Sequence, residues 1–265
     1  MNFSFIQITD HHLTPTDADL VRGFSTRHAF RSTLRHIAHN ATARADFIVS
    51  TGDLVEQASD AAYRAVLDML RVKALPAALP GPFQITAEGL EGFPLYVLPG
   101  NHDDRSIFFE RLFAVVPTPP LMNAAFTHGG VQFICLDWGP GAKGVAHPET
   151  LEFLERSLRG GQPSIILMHH QLVKIGSRWL DEFLFDDVEL FWEKVAGSNV
   201  LGVFSGHVHT TYDRVVHGIP VFGLRSTAYP FVLQDEPLAC LLPPHYRLIT
   251  LRDGVLTTQI FEVPL

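Results

Sequence analysis

Short apolar runs of strand length alternate along this chain with amphipathic segments, and this alternation restricts the folds that it can adopt. The runs FSFIQIT (3–9), DFIVSTG (46–52) and PLYVLPG (94–100) are predicted as buried strands, while 25–42 and 59–73 have the spacing of amphipathic helices. A strand followed by a helix and a second strand favours parallel pairing with a right-handed crossover. The first hundred residues therefore predict a largely parallel sheet.

The second half of the chain continues the alternation. Its predicted strands are the hairpin 125–138, with a turn at Gly129-Gly130, and the segments 163–170, 199–209, 213–226 and 246–263; its predicted helices are 148–159 and 188–197. We predict an α/β fold, a four-layer α/β-β/α sandwich of two mixed β-sheets flanked by helices, formed by residues 1–265 as a single domain. The proline- and glycine-rich segment 74–93 is predicted to be a surface insertion.

Composition narrows the class of protein further. The 265 residues are 46% hydrophobic and 18% charged, as in folded globular chains. No apolar run approaches the roughly 18 residues that span a bilayer, and the N-terminus lacks the features of a signal peptide. The net charge of −8 disfavours a nucleic acid polymer as partner, because phosphate backbones are bound by basic surfaces. Cys135 and Cys240 are expected to be reduced, in a cytoplasmic protein.

Side chains that bind transition metals follow five of the predicted strands, at the point where each strand ends. In α/β sheets, ligands bind in the crevice beyond the carboxyl ends of the strands. Imidazole is the commonest protein ligand for transition metals, and the chain has fourteen histidines. We therefore predict a metal site, whose candidate ligands are Asp10, His12, Asp53, Asn101, His169, His207 and His209.

The spacing of these residues supports one shared site. Asp10 and His12 are two residues apart, as are His207 and His209, and in an extended segment such residues point the same way. A glycine precedes Asp53, Asn101 and His207 in the chain, and we expect these glycines to let the backbone turn sharply and approach the ions.

Five short motifs in this order resemble a known superfamily. ITDHH, TGDL, PGNHD, LMHHQ and SGHVH are similar to the D-x-H, G-D, G-N-H-D/E, H and G-H-x-H signature of calcineurin-like metallophosphoesterases, and the likeness spans about residues 3–263. Within that superfamily, the segment from GSRWLDEF to GHVH and the tail PPHYRLITLRDGVLTTQ resemble the bacterial class III cyclic-nucleotide phosphodiesterases.

The resemblance implies a dinuclear centre with divided roles. Asp53 would bridge the two ions. One ion, often iron, would be completed by Asp10, His12 and His209. The other, often manganese, iron or zinc, would be completed by Asn101, His169 and His207.

The resemblance also implies catalytic residues that are not ligands. His102 would face the phosphate as an electrostatic partner or proton donor, and Asp103 would orient His102. A homodimer is implied on the same basis.

Charge and ligand chemistry fit this assignment. Two divalent ions with Asp10, Asp53 and one bridging hydroxide would keep a net charge of about +1, which suits a phosphodiester monoanion. Mixed nitrogen and oxygen ligands suit Mn, Fe, Zn or Co better than Mg or Ca. We expect hydrolysis of a small phosphodiester by in-line attack of the metal-bridging hydroxide, with 3′,5′-cyclic nucleotides such as cAMP as the first choice of substrate.

Two other functions stay open at this stage. The same metals would serve a broad-specificity phosphodiesterase or phosphomonoesterase acting on substrates such as glycerophosphodiesters. A non-catalytic scaffold of the same fold is disfavoured because all seven ligand positions and His102 are present. One departure from the family pattern bears on the loop over the site: Gln171 and Leu172 stand where proline is common.

Overall fold

The computed structural model describes residues 2–40, 45–72, 84–87, 93–240 and 242–265. The strands are β1 (Asn2–Ile8), β2 (Phe47–Thr51), β3 (Gln84–Ala87), β4 (Phe93–Leu98), β5 (Ala124–His128), β6 (Val131–Leu136), β7 (Ser164–Met168), β8 (Val200–Ser205), β9 (Tyr212–Val216), β10 (Ile219–Gly223), β11 (His245–Arg252) and β12 (Val255–Glu262). The helices are α1 (Thr26–Asn40), α2 (Asp60–Leu70), α3 (Arg105–Phe113), α4 (Pro148–Leu158), α5 (Arg178–Asp181) and α6 (Val188–Val195).

The strands form two mixed sheets of six, with the orders β12-β11-β1-β2-β4-β3 and β5-β6-β7-β8-β10-β9. In the first sheet β1, β2 and β4 are parallel, and in the second β6, β7, β8 and β10 are parallel. Antiparallel strands complete the edges of both sheets. The predicted architecture, two mixed sheets flanked by helices, is therefore confirmed.

Aromatic side chains join the inner faces of the two sheets. The ring of Phe5 on β1 lies 5.3 Å from Phe133 on β6 and 5.7 Å from Phe204 on β8. Alternation along the strands decides which residues reach this core, because successive side chains point to opposite faces. Phe133 of β6 packs between the sheets, whereas its neighbour Ile134 packs with Leu154 of α4 on the outer face.

Three elements were not predicted from the sequence: strand β3, helix α3 and the four-residue helix α5. Strand β3 lies within the predicted insertion 74–93 and pairs antiparallel with β4 at the edge of the first sheet. The rest of that insertion, apart from Phe93, lies outside the described residues. Helix α3 begins at Arg105, and its N-cap residue Asp104 accepts a hydrogen bond of 2.9 Å from the Ile107 amide.

Tight turns connect the strands of both hairpins. Gly129 and Gly130 both have positive φ and connect β5 to β6, and Asp253-Gly254 connects β11 to β12 in the same way. Cys135 is buried, and both cysteines are free thiols. Among the helices of the described residues, none is both long enough and apolar enough to cross a membrane.

Candidate metal centre

The parallel strands of both sheets deliver the predicted ligands to one end of the sandwich. Each ligand comes from the loop at the carboxyl end of a parallel strand: β1, β2 and β4 in the first sheet, β7 and β8 in the second. Close contacts between nitrogen and oxygen atoms join the side chains from the two sheets in one cluster. The structure thus brings together all seven predicted residues: Asp10, His12, Asp53, Asn101, His169, His207 and His209.

Five of these seven residues have left-handed backbone conformations. Their φ angles are between 46° and 75°, a region that residues other than glycine rarely adopt. Such strain concentrates at functional sites, where the surrounding structure enforces it. The residues are Asp10, His12, Asp53, His207 and His209.

This geometry corrects the expectation that the ligand pairs lie in extended segments. The side chains converge because the chain turns at each left-handed residue, and hydrogen bonds hold the turns. The amides of His11 and His12 both donate to the Asp53 carbonyl oxygen, at 2.8 and 3.0 Å, and the Asp10 amide donates to Gly52 at 3.0 Å. The loops that follow β1 and β2 are therefore fastened to each other.

Close approach explains the glycines that precede the ligands, as predicted. A Cβ at Gly100 would overlap Asp53 Oδ1, and a Cβ at Gly206 would overlap Thr9 Oγ1 and lie 2.5 Å from Asp10 Oδ2. Gly52 has φ +109°, and its Cβ would overlap the ring of His169. Larger residues at these positions would displace the ligands themselves.

The first group of ligands combines two carboxylates with two imidazoles. His12 Nε2 and His209 Nε2 are 3.0 Å apart, Asp10 Oδ1 is 3.4 Å from His209 Nε2, and Asp53 Oδ2 is 3.4 Å from His12 Nε2. The ligand atoms of these four buried residues all lie within 4.8 Å of one another. They form a set that one ion can bind.

The hydrogen bonds of the Nδ1 atoms of His12 and His209 show the protonation state of the Nε2 atoms that face the site. His209 Nδ1 lies 2.6 Å from the Tyr229 carbonyl oxygen, and His12 Nδ1 lies 2.7 Å from Glu56 Oε2. Since each acceptor requires the proton on Nδ1, each neutral ring turns an unprotonated Nε2 towards the other. Two lone pairs facing each other beside two carboxylates are satisfied by a cation, and not by a hydrogen bond.

The second group has the same character. Asn101 Oδ1 lies 2.9 Å from His169 Nε2 and 2.8 Å from His207 Nδ1. His169 Nδ1 lies 2.9 Å from the Thr51 carbonyl oxygen, so that His169 Nε2 is also unprotonated in the neutral ring. Asp53 Oδ2 is 3.4 Å from His169 Nε2, the same distance as from His12 Nε2. One carboxylate oxygen therefore faces both groups.

Electrostatics at the cluster favour bound positive charge. Burial alone would raise the pKa of Asp10 and of Asp53, but His209 and His169, respectively, hold these pKa values below the usual range. Burial opposes a charge on His169, yet Asp53 and Asp10 raise its pKa to about 9. Two buried carboxylates thus create a field that cations relieve, and the donor set fits transition metal ions.

His102 lies beside the first group without joining it. Its ring centroid is 4.6 Å from that of His12, its Nδ1 is 2.8 Å from the Glu56 carbonyl oxygen, and its side chain is 35% exposed to the cleft. Burial opposes protonation, but Asp53, together with the carbonyl and the charge of Glu56, raises the pKa of His102. His102 therefore lies at the cleft, and its raised pKa favours the protonated form that attracts an anion.

The expected contact between Asp103 and His102 is not found among the described residues, and the prediction that Asp103 orients His102 is wrong. Asp103 Oδ2 accepts hydrogen bonds from the amides of Leu54 and Gly100, at 3.1 and 2.8 Å, and Oδ1 accepts from Tyr63 at 2.7 Å. Burial and the charge of Asp53 raise the pKa of Asp103 to about 6. Asp103 joins the loops after β2 and β4, and His102 is oriented by Glu56.

A buried ion pair that sequence analysis missed holds the loop carrying Asn101 and His102. Arg105 donates to both oxygens of Asp137, at 2.6 and 3.1 Å, and also to the carbonyl oxygens of Gly100, Asp103 and Gly139. Asp137 directly follows β6, at the same end of the sheet as the ligands. The rule that found the other residues at strand ends therefore applies to Asp137 as well.

Three further residues of the motifs have structural roles. His11 is buried between Thr227 Oγ1 and Ser50 Oγ, at 2.6 and 2.8 Å, and faces away from the ligands. His170 Nε2 lies 2.8 Å from the Gly141 carbonyl oxygen. Gln171, which replaces the usual proline, donates at 2.7 Å to the Leu180 carbonyl oxygen and so ties the strand end to helix α5.

A cleft of about 190 Å³ opens above the ligands. Its floor includes Asp53, Asn101 and His209, and its walls carry aromatic side chains. Trp179 and Tyr229 both line this cleft. The opening is of a size for a small molecule, and the charged residues lie at its base.

Comparison with a family model places this geometry among known proteins. The model described as calcineurin-like phosphoesterase matches residues 3–211 of the chain. That range includes all seven candidate ligands and His102.

Curated relatives match over nearly the whole chain. The "3′,5′-cyclic adenosine monophosphate phosphodiesterase CpdA" of Vibrio vulnificus is 27% identical over 275 residues, covering 98% of this chain and 89% of the relative. The protein of the same name from Escherichia coli K12 is 28% identical and covers 97% and 89%. A "3′,5′-cyclic-nucleotide phosphodiesterase" of Nostoc sp. is 28% identical and covers 98% and 92%.

Solved structures share the fold at lower identity. A dimetal phosphatase from Danio rerio superposes with a TM-score of 0.63 at 12% identity, covering 99% of each chain. Plasmodium GAP50, the anchor in the inner membrane complex, gives 0.59 at 13% identity and covers 99% of this chain and 85% of its own. At these identities the likeness shows the common architecture alone.

Proposed function

This chain belongs to the calcineurin-like phosphoesterase family, and from that premise we propose that it is a metal-dependent phosphodiesterase acting on small phosphodiesters, with 3′,5′-cyclic nucleotides as its principal substrates. The observation that carries the proposal is the convergence of unprotonated imidazole nitrogens and carboxylate oxygens at one end of the sandwich. The cyclic-nucleotide substrate is supported by the names of the relatives that match over nearly the whole chain.

We assign the ligands to two ions that share Asp53. Asp10, His12 and His209 complete one set, in which Asp10 Oδ1 and the two Nε2 atoms face Asp53 Oδ2. Asn101 Oδ1, His169 Nε2 and His207 Nδ1 complete the other set. The equal distances of 3.4 Å from Asp53 Oδ2 to His12 Nε2 and His169 Nε2 support the shared carboxylate.

Two ions held by these residues would supply an activated water at neutral pH and would neutralise the charge of the phosphoryl group. The residues of the chain do the rest. Glu56 and the carbonyl oxygens of Thr51 and Tyr229 hold the Nδ1 protons of three histidine ligands and so fix their tautomers. His102 faces the cleft and is placed to stabilise the phosphate or to protonate the leaving oxygen.

The test is purification followed by metal analysis and a substrate comparison. We expect close to two transition metal ions per chain after loading, and turnover of cAMP that a chelator abolishes. Bis-p-nitrophenyl phosphate serves as a generic diester and glycerophosphocholine as the competing natural type. Good turnover of another diester with none of cyclic nucleotides would replace the substrate assignment by a broad phosphodiesterase. Absence of metal and of activity after adding manganese would instead favour a scaffold.

The identity of the metals, the oligomeric state, the domain organisation and the cellular location stay predictions, and each has a separate test. Iron and manganese as the resident metals are tested by elemental analysis of protein from unsupplemented cells. The homodimer is tested by sedimentation, the single domain by the cooperativity of unfolding, and the cytoplasmic location by fractionation of the producing cell.

A further inference from the structure

A series of aromatic rings lines the cleft between two of the candidate ligands. Phe231 stacks on His209 with centroids 4.8 Å apart, and Trp179 meets Phe231 edge-on, also at 4.8 Å. Phe183 continues the series, 6.0 Å from Trp179 and 6.1 Å from His207. We call Phe231, Trp179 and Phe183 the aromatic arc. All three are partly exposed and line the cleft, so apolar ring surface is available to a molecule bound there.

Arg22 lies at the same cleft, one ring beyond the metal ligands. Its guanidinium carbon is 5.5 Å from the centroid of Phe231 and 5.9 Å from that of Tyr229. Tyr229 in turn is 4.8 Å from His209 and 5.3 Å from His12. A phosphate bound at the ligands therefore leaves the substituents of a small molecule within reach of Arg22.

The backbone at Arg22 has a conformation that is unfavourable for arginine. Arg22 and Gly23 both have positive φ, and Val21 and Phe24 exchange two backbone hydrogen bonds across them, at 3.0 and 2.8 Å. Such a turn favours asparagine, aspartate or glycine at the position of Arg22, because other side chains are strained there. An arginine at a strained position facing the cleft indicates a role for its side chain.

The donors of Arg22 are not committed to a carboxylate. Arg27 and Arg31 on the same side of the chain both pair with Asp17, whereas no ion pair of the described residues involves Arg22. The acidic residue on the cleft wall, Glu56, is engaged with His12 Nδ1 at 2.7 Å. Arg22 donates to the Tyr229 hydroxyl, and its guanidinium has further N–H groups that can donate to a molecule in the cleft.

Donors beside flat apolar rings discriminate between purine bases. Aromatic rings stack with any base, and this contribution is insensitive to sequence. A guanidinium has donors only, and guanine offers it two acceptors, O6 and N7, whereas adenine offers N7 next to an amino group that also donates. Arg22 can therefore form two hydrogen bonds with guanine. With adenine it can form one, and its second donor would lie against the N6 amino group, which is also a donor.

We propose that Arg22 and the aromatic arc form a base-binding subsite that selects guanine over adenine, so that cyclic GMP is the better cyclic-nucleotide substrate. This inference rests on the proposed function for its catalytic consequence. The recognition of the base itself can be measured without turnover.

The kinetic test compares cyclic GMP with cyclic AMP. In the parent protein we expect kcat/KM to favour cyclic GMP by at least about fivefold, the lower end of what a bidentate arginine contact contributes. Arg22→Met keeps the length and apolar stem of the side chain, and we expect it to remove this preference through a loss on cyclic GMP. Arg35→Met, on the exposed face of α1, is the matched control and should keep the preference. Equal losses on both substrates, or an unchanged ratio, would overturn the proposal.

The binding test separates this inference from the proposed function. GMP and AMP are titrated calorimetrically into manganese-loaded parent and Arg22→Met proteins. Tighter binding of GMP that Arg22→Met abolishes supports the subsite even if neither cyclic nucleotide is hydrolysed, in which case only the proposed substrate fails. Equal affinities for GMP and AMP in the parent protein overturn the subsite whatever the enzyme hydrolyses.

Discussion

Asp53 and His102 are joined by a hydrogen bond of 2.8 Å from the backbone amide of His102 to Asp53 Oδ1. This bond fixes the carboxylate so that its other oxygen, Oδ2, faces His12 and His169 at equal distances. His102 therefore has two roles. Its imidazole lines the cleft, and its backbone amide orients the Asp53 carboxylate that the two ligand groups share. Side-chain and backbone contributions of His102 can therefore be separated by mutation.

His102→Ala should keep both metal ions and lose turnover. The variant retains the amide that orients Asp53, but it lacks the imidazole that faces the phosphate. We expect kcat to fall by about 10²–10⁴-fold, the range for one general acid or base. Elemental analysis measures the metal content, and kcat on cyclic nucleotides measures the loss of turnover. His39→Ala, an exposed histidine bonded to its own helix, is the control; loss of metal from His102→Ala would refute the assignment.

Asn101→Ala should weaken metal binding itself. The amide oxygen Oδ1 lies within 2.9 Å of both His169 Nε2 and His207 Nδ1, and the other oxygen assigned to that group, Asp53 Oδ2, is shared with the first group. We expect the variant to bind close to one ion in place of two and to lose most activity. Recovery of activity at high manganese would fit weakened affinity, whereas unchanged stoichiometry and unchanged activity would remove Asn101 from the ligand set.

Glu56→Ala should lower metal affinity although Glu56 is not assigned as a ligand. Its carboxylate holds the Nδ1 proton of His12 at 2.7 Å, which directs the Nε2 lone pair to the site. Loss of such a partner typically costs about 10–100-fold in metal affinity or activity. Glu56→Gln keeps an acceptor oxygen and should recover part of the loss. Competition with a chelator measures the affinity, and Glu155→Ala, an exposed carboxylate on α4, should match the parent.

Gly206→Ala should disrupt the centre by sterics alone. The new Cβ would overlap Thr9 Oγ1 and press on Asp10 Oδ2. Overpacking of this kind costs about 1–3 kcal/mol, and here it displaces a ligand directly. Gly202→Ala, in strand β8 just before Gly206, is the matched control, since its Cβ would meet only ordinary contacts at 3.5 Å and beyond. Denaturant unfolding and metal content, measured on both variants, test the contrast.

The sequence predicted the strands and the ligands for one physical reason. Parallel strands are apolar on both faces, so a polar side chain at a strand end stands out, and parallel strands deliver their ends to the same edge of a sheet. Asp10, Asp53 and His169 were found in this way. The same rule applied to Asp137, which was missed because no recognised motif contains it.

The partners that orient the ligands could not be predicted. Two of them, the carbonyl oxygens of Thr51 and Tyr229, belong to the backbone and carry no sequence signal. The left-handed conformations of Asp10 and His12 depend on hydrogen bonds to the loop after β2, about forty residues away in the chain. Strand β3 is only four residues long and lies in a proline- and glycine-rich segment, where periodicity gives no signal.

The buried pair of Arg105 and Asp137 supports a prediction about acid stability. Burial would raise the pKa of Asp137, but Arg105 and its hydrogen bonds hold it below the usual value. A carboxyl whose pKa is lower in the folded state stabilises the fold above its unfolded pKa of about 3.9, and this contribution is lost as pH falls below that value.

Asp137→Asn should therefore destabilise the protein strongly at neutral pH and less in acid. Removing one partner of a buried pair costs about 3–5 kcal/mol, because Arg105 keeps its charge. We expect that difference in unfolding free energy at pH 7. We expect it to shrink as the pH falls below about 4, because the carboxyl then takes up a proton in the unfolded parent chain, and to vanish only below the lower pKa of the folded state. Urea unfolding of chelator-treated protein at several pH values measures it without a contribution from metal. Asp60→Asn breaks the exposed pair with Arg111 and should change stability little at any pH, because solvent screens that pair. A gap between parent and Asp137→Asn that stays constant from pH 7 to pH 3 would show that the carboxylate charge is not what holds this loop.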